Sequence, residues 1–151
     1  MIREQLKKAL IDALKNKEEK KTATIRLINA AIKDKDIEAR PKGITDGIDD
    51  NAILSLLQGM VKQRKESIEM YKQGNRSDLV EAEQAEIDII NQFLPQQMSE
   101  EETKTAISTV IQSVGATSIT DMGKVMAALK AQYAGKMDFA LASQQIKALL
   151  S

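Results

Sequence analysis

The residues Asp121-Met122-Gly123-Lys124, with Lys130 and the pair Gly135-Lys136 downstream, come closest to a chemical signature in this 151-residue chain. A glycine in the first turn of a helix leaves unpaired backbone amides open to an approaching group, and a lysine beside it adds a point charge. Together they suit a phosphate. A plainer role fits the same residues: Gly123 lets a second helix come close, and Lys124 is simply solvated. Other chemistry is poorly provided for. The sequence has no His and no Cys, which removes the commonest general base, thiol nucleophiles, disulfides and zinc–thiolate sites. Paired carboxylates occur at Asp49-Asp50, at Glu83 and Glu86, and at Glu100-Glu101-Glu102, but each has a capping, solvation or ion-pair explanation. The loop from Asp46 to Asp50 is the single candidate for a hard cation, and it offers few oxygens. Gly43 and Gly47 lack the strand–turn–helix setting of a phosphate-binding loop. No catalytic residue, metal or cofactor is expected.

The elements that would carry these residues read as helices throughout. Only two Pro and seven Gly interrupt the chain, and with two Phe, two Tyr and no Trp the core must be aliphatic. Ile2, Leu6, Leu10, Ala13 and Leu14 predict a helix over about 2–16, and Ile25, Ile28, Ala31 and Ile32 a second over 19–39, ended by Pro41. After a loop, Asp49 or Asp50 caps a third helix over 50–73, with the stripe Ile53, Leu57, Met60, Arg64, Ile68, Tyr71. Gly74 stops it. Asn75 is read as the cap of a fourth, carrying Leu79, Ala82, Glu86, Ile89 and Phe93 and ended by Pro95. A turn this short implies an antiparallel hairpin. Arg64 lies 11 residues before Asn75 and Glu86 lies 11 after it, so these charged members of two apolar stripes are expected to meet as a structural ion pair fixing the register.

Beyond Pro95 the helices shorten. Ser99 and Glu102 form a capping box opening a fifth helix that ends at Gly115, and Ser118 and Asp121 form another before a sixth helix reaching about Ala134. Gly135 ends that one, and Asp138 caps a seventh with Phe139, Ala142, Ile146 and Leu149 on its inner face. The fold expected is all-α: an N-terminal long-helix domain over 1–95 with four helices, then a three-helix bundle over 96–151.

Charge is balanced overall, 22 basic against 22 acidic residues, but not evenly spread. Residues 1–45 carry 12 Lys/Arg against 7 Asp/Glu, residues 46–95 carry 5 against 10, and residues 103–151 carry 5 against 2. The simplest meaning of the first two figures is that the segments pack against each other. No apolar run approaches the roughly 20 residues that span a bilayer, and the first 14 residues lack a signal-peptide core. The expectation is a cytoplasmic protein without membrane contact.

Several stretches, taken in order, resemble a known family. They are Arg26-Leu27-Ile28-Asn29-Ala30-Ala31-Ile32-Lys33, Val61-Lys62-Gln63-Arg64-Lys65-Glu66-Ser67-Ile68, Glu83-Gln84-Ala85-Glu86-Ile87, Phe93-Leu94-Pro95-Gln96-Gln97-Met98-Ser99-Glu100-Glu101, Asp121-Met122-Gly123-Lys124-Val125-Met126 and Gly135-Lys136-Met137-Asp138. The set is similar to the free-standing members of the GatB/YqeY family. They in turn resemble the C-terminal tail of the GatB component of aspartyl/glutamyl-tRNA amidotransferase, a helical appendage that helps grip tRNA while the chemistry lies in other domains. The resemblance implies a tRNA-binding accessory protein, with Gly123, Lys124, Lys130, Gly135 and Lys136 at the RNA. It also brings a glutamine-dependent carbon–nitrogen ligase label, for which the residue inventory supplies no active site. The alternative is a docking module for amidotransferase, synthetase or other translation proteins, using Leu54 and Leu56 as an exposed strip unless a second helix covers them.

Overall fold

A computed structural model describes all residues from Met1 to Ser151. It contains seven α-helices and no strand: α1 (Ile2–Lys15), α2 (Glu19–Ala39), α3 (Asp50–Gln73), α4 (Ser77–Asn91), α5 (Glu100–Val114), α6 (Met122–Tyr133) and α7 (Phe139–Leu150). Short 3-10 turns at Arg40–Lys42 and Ile119–Asp121 follow α2 and lead into α6. The chain divides into two compact units, Met1–Pro95 and Gln96–Ser151.

In the first unit Ile2, Leu6, Ile25, Ile28, Ile32, Ile53, Leu57, Met60, Ile87, Ile90 and Phe93 close one aliphatic core. The basic and acidic segments do pack on each other, but through this apolar core. The ionic contact between them is the α-amine of Met1, 3.6 Å from Asp50. The α3–α4 pair makes the most extensive helix contact of the unit. Arg64 Nε donates to Glu86 Oε2 at 2.7 Å across that pair, and Arg64 Nη1 donates to the Met60 carbonyl at 3.1 Å.

Three expectations need correction here. Asn75 does not cap α4: it takes a left-handed backbone (φ 55°), which asparagine tolerates, and makes the turn itself. The helix begins one residue later behind Arg76, whose guanidinium pairs with Asp78. On α4 the buried residues are Ile87 and Ile90, while Ala82 is exposed and Ile89 only half-buried, because α4 packs against α2 as well as α3. Leu54 and Leu56 are half-buried against the core and are not an exposed strip.

In the second unit α5, α6 and α7 each pack against the other two. Their core is Ala106, Ile107, Val110, Val125, Leu129, Met137, Ala142 and Ile146, with Tyr133 and Phe139 at its margin. Leu149 is exposed rather than inward, and Leu150 packs against the core in its place. The Ser99 hydroxyl accepts from the Glu102 amide at 3.1 Å and the Glu102 carboxylate accepts from the Ser99 amide at 3.1 Å. The Asp138 carboxylate caps α7 through the amides of Ala140 and Leu141.

Candidate nucleic-acid interface

The 3-10 turn at Ile119–Asp121 changes what precedes α6. The Asp121 carboxylate accepts from the amides of Thr117 at 3.0 Å and Ser118 at 3.3 Å. These bonds, the Thr117 one first, hold the Asp121 carboxyl below its ordinary range, and the nearby Lys124 charge acts in the same direction. The amide of Met122 already donates to the Ile119 carbonyl. Helical bonding therefore starts before Gly123, and the open first turn expected there is partly closed. The close-packing role for Gly123 also fails: a Cβ built on it would meet nothing within 4 Å. Gly123 is exposed, as are Lys124, Ala127, Lys130 and Ala131. At 100° per residue these five form one continuous outer face of α6, small residues along the middle and a lysine on either flank.

Lys136 lies in the turn between α6 and α7. Gly135, at φ 78°, is buried, and Met137 is fully buried, so of these three residues only Lys136 projects to solvent. The part of Gly135 is thus to bend the chain in the left-handed region rather than to touch a ligand. The turn is pinned on all sides. The amides of Lys136 and Met137 donate to the Tyr133 carbonyl, the Gly135 carbonyl accepts from Gln97 Nε2 at 2.6 Å, and the Lys136 carbonyl accepts from the Met98 amide at 2.9 Å.

The electrostatics of this unit are segregated. Its five acids all stand at helix starts: Glu100, Glu101 and Glu102 in the first turn of α5, Asp121 ahead of α6, and Asp138 at the cap of α7. There they answer backbone amides and the positive helix ends. The five lysines, Lys104, Lys124, Lys130, Lys136 and Lys147, make no ion pair; every ion pair of the chain lies in the first unit. No three acidic side chains converge anywhere as a cation site would require, and Asp49 of the candidate loop instead caps α3 through the Ala52 amide.

A model of the Yqey-like protein family matches residues 3–150. The chain belongs to the YqeY-like family. Among curated proteins it is similar to "Altered inheritance of mitochondria protein 41, mitochondrial" of Lachancea thermotolerans, 42% identical over 91 residues that cover 60% of this chain and 46% of that one. The protein of the same name in Saccharomyces cerevisiae (strain YJM789) is 34% identical over 96 residues, 64% of this chain and 48% of that one. An uncharacterised Schizosaccharomyces pombe protein is 29% identical over 94 residues, 62% of this chain and 72% of that one. The YqeY-like chain thus spans about half the length of the mitochondrial relatives it matches. Their names speak of a mitochondrial location and mention no reaction. No helix of this chain is long and apolar enough to cross a membrane.

The first unit of the YqeY-like protein offers a different surface. Helix α2 buries Ile25, Ile28 and Ile32 on one side, while Ala23, Leu27, Ala30 and Ile37 lie exposed on another. Leu27 and Ile37 keep 47% and 46% of their surface in solvent, and this second face is apolar except for the exposed Asp34 between Ala30 and Ile37. The shallow depression of about 490 Å³ between the start of α2 and the end of α4 is lined by Lys17, Glu18, Glu19, Lys20, Lys21, Ile89 and Gln92. It lacks the apolar wall of a small-molecule pocket.

Proposed function

We propose that the protein is a non-catalytic RNA-binding accessory factor whose second unit holds the phosphate backbone of tRNA with Lys124, Lys130 and Lys136. The observation that carries this reading is the division of charge in that unit: every acid stands at a helix start, and every lysine is without an ionic partner. A lysine outside an ion pair gives up its counterions for a phosphate at little cost, Lys124 losing only the through-space attraction of Asp121. The bare middle of the α6 face, Gly123, Ala127 and Ala131, lets a backbone approach between the flanking ammonium groups. Recognition is by shape and charge, because Tyr71, Phe93, Tyr133 and Phe139, the only aromatics, are all half-buried or buried and give no platform for stacked bases. The resemblance to the GatB tail points to tRNA as the RNA class. The ligase label is inherited from the larger enzyme in this reading. Fluorescence anisotropy with bulk tRNA at low salt tests it: binding is expected, and it weakens when Lys124, Lys130 and Lys136 are changed to Ala. No binding, or binding indifferent to that triple change, refutes it.

The strip Ala23–Leu27–Ala30–Ile37 favours a second reading, docking on an amidotransferase, a synthetase or another translation protein through α2. A Leu27→Glu variant that loses a nuclease-resistant complex with such a protein supports docking, and retention of the complex refutes this surface.

A further inference from the structure

We infer that Gln97 and Met98 are positioning residues for Lys136: the strap that follows Pro95 fixes where that ammonium group meets RNA, a role that rests on the RNA reading proposed above. Lysine is ordinarily a poor fixed contact, since its four-carbon stem loses much rotamer freedom when held. The backbone beneath Lys136 removes part of that disadvantage. Its neighbours Gly135 and Met137 are both buried, and its own amide donates to the Tyr133 carbonyl at 3.0 Å. The carbonyls of Gly135 and Lys136 are both satisfied from the strap. Gln97 Nε2 takes the first at 2.6 Å and the Met98 amide takes the second at 2.9 Å. The Gly135 carbonyl can only accept, so the side-chain amide of Gln97 must present its NH₂ group there.

The strap is anchored in its turn. Met98 packs against the core of the unit, and the next residue, Ser99, is the cap of α5. The Lys136 turn is therefore held between the start of α5, through the strap, and the core, through Met137. With these bonds in place the Cα of Lys136 is preorganised, and only its side chain remains to be ordered on binding. Without them the carbonyls turn to water and the lysine samples a wider arc.

A double-mutant cycle separates positioning from a merely structural role. Gln97→Met keeps length and neutrality and removes the donor. Anisotropy with bulk tRNA at low salt is expected to show about fivefold weaker binding for Gln97→Met, the size of one net hydrogen bond. In a Lys136→Ala background the same change is expected to have no effect. Linkage supplies a second readout on the unmodified protein: saturating tRNA is expected to slow exchange of the Met98 amide. Equal losses in both backgrounds, no loss in either, or unchanged Met98 exchange overturns the positioning role while the RNA reading stands. Absence of tRNA binding by the unmodified protein overturns the RNA reading itself, and the positioning role with it.

Discussion

Gly43 and Gly47 make a matched pair whose replacement by alanine distinguishes backbone strain from collision. Both adopt positive φ, 88° and 92°. A Cβ at Gly43 meets nothing within 4 Å, whereas a Cβ at Gly47 falls 2.7 Å from Arg3 Nη2 and 3.0 Å from Asp36 Oδ1. That guanidinium cannot simply swing aside. It donates to both Asp36 oxygens, at 3.0 and 2.8 Å, and to the Ile48 carbonyl at 3.0 Å, while the Ile48 amide donates back to Asp36 at 2.8 Å. Gly43→Ala should cost about 1 kcal/mol, the left-handed penalty alone. Gly47→Ala adds displacement of a clamp that is partly exposed, at 41% and 21% for its two side chains, so its charge-assisted bonds are discounted to about 1–2 kcal/mol in all. The expected total is about 2–3 kcal/mol. Each unit holds one tyrosine, Tyr71 and Tyr133, and there is no Trp, so tyrosine fluorescence in a Tyr133→Phe background follows the first unit alone. In urea the Gly47→Ala midpoint should fall below that of Gly43→Ala by about 1–2 M, for a slope near 1 kcal/mol per M. With Arg3→Ala also present the gap between the two alanines should narrow, leaving only the contact with Asp36. Equal midpoints for the two single variants would refute the clamp.

Three further outcomes follow from the geometry. Glu86→Gln leaves the Arg64 guanidinium, only 15% exposed, without its carboxylate, and should cost about 1–2 kcal/mol by the same fluorescence assay; an unchanged midpoint would mean that solvent replaces the pair without loss. Asp36 is held below its ordinary range, first by the hydrogen bond from Arg3 and then by the Ile48 amide. Its folded value is the lower one, so the unfolded chain binds more protons in the window between the two, and the contribution is present above about pH 4 and lost as pH falls through the folded value. Urea midpoints of the first unit should drop through that window, and Asp36→Asn should flatten the drop. Ser99→Ala removes one half of the α5 capping box and should cost the second unit about 1 kcal/mol, measured by thermal melting of the Tyr133 signal; no change would show that the Glu102 side of the box suffices.

Helix ends were legible wherever the signal is local. Ser99, Asp49 and Asp138 cap helices, and Gly115 ends α5 in the left-handed region, because each needs only its own few neighbours. The level of Arg64 with Glu86 is also local information, since a short turn fixes how two helices align. Asn75 fails as a cap for a related reason: the residue types that cap a helix are those that tolerate a left-handed turn, and sequence does not separate the two uses. The buried face of α4 was harder. Ile87, Ile89 and Ile90 are all apolar, and which of them turns inward depends on α2, some 60 residues earlier in the chain. In the candidate site the lysines could be read from composition, but their freedom from ion pairs could not. The strap was invisible: a hydrogen bond from Gln97 to a carbonyl 38 residues away leaves no periodic trace, and Met137 sits in a turn where periodicity has no meaning.

The most direct test of a lysine grip on RNA phosphates is the slope of log affinity for tRNA against log salt concentration. Changing Lys124, Lys130 and Lys136 together to Ala should flatten that slope by about 2–3, each lost phosphate contact contributing about 0.7–0.9. A slope that is unchanged by the three substitutions would contradict the account.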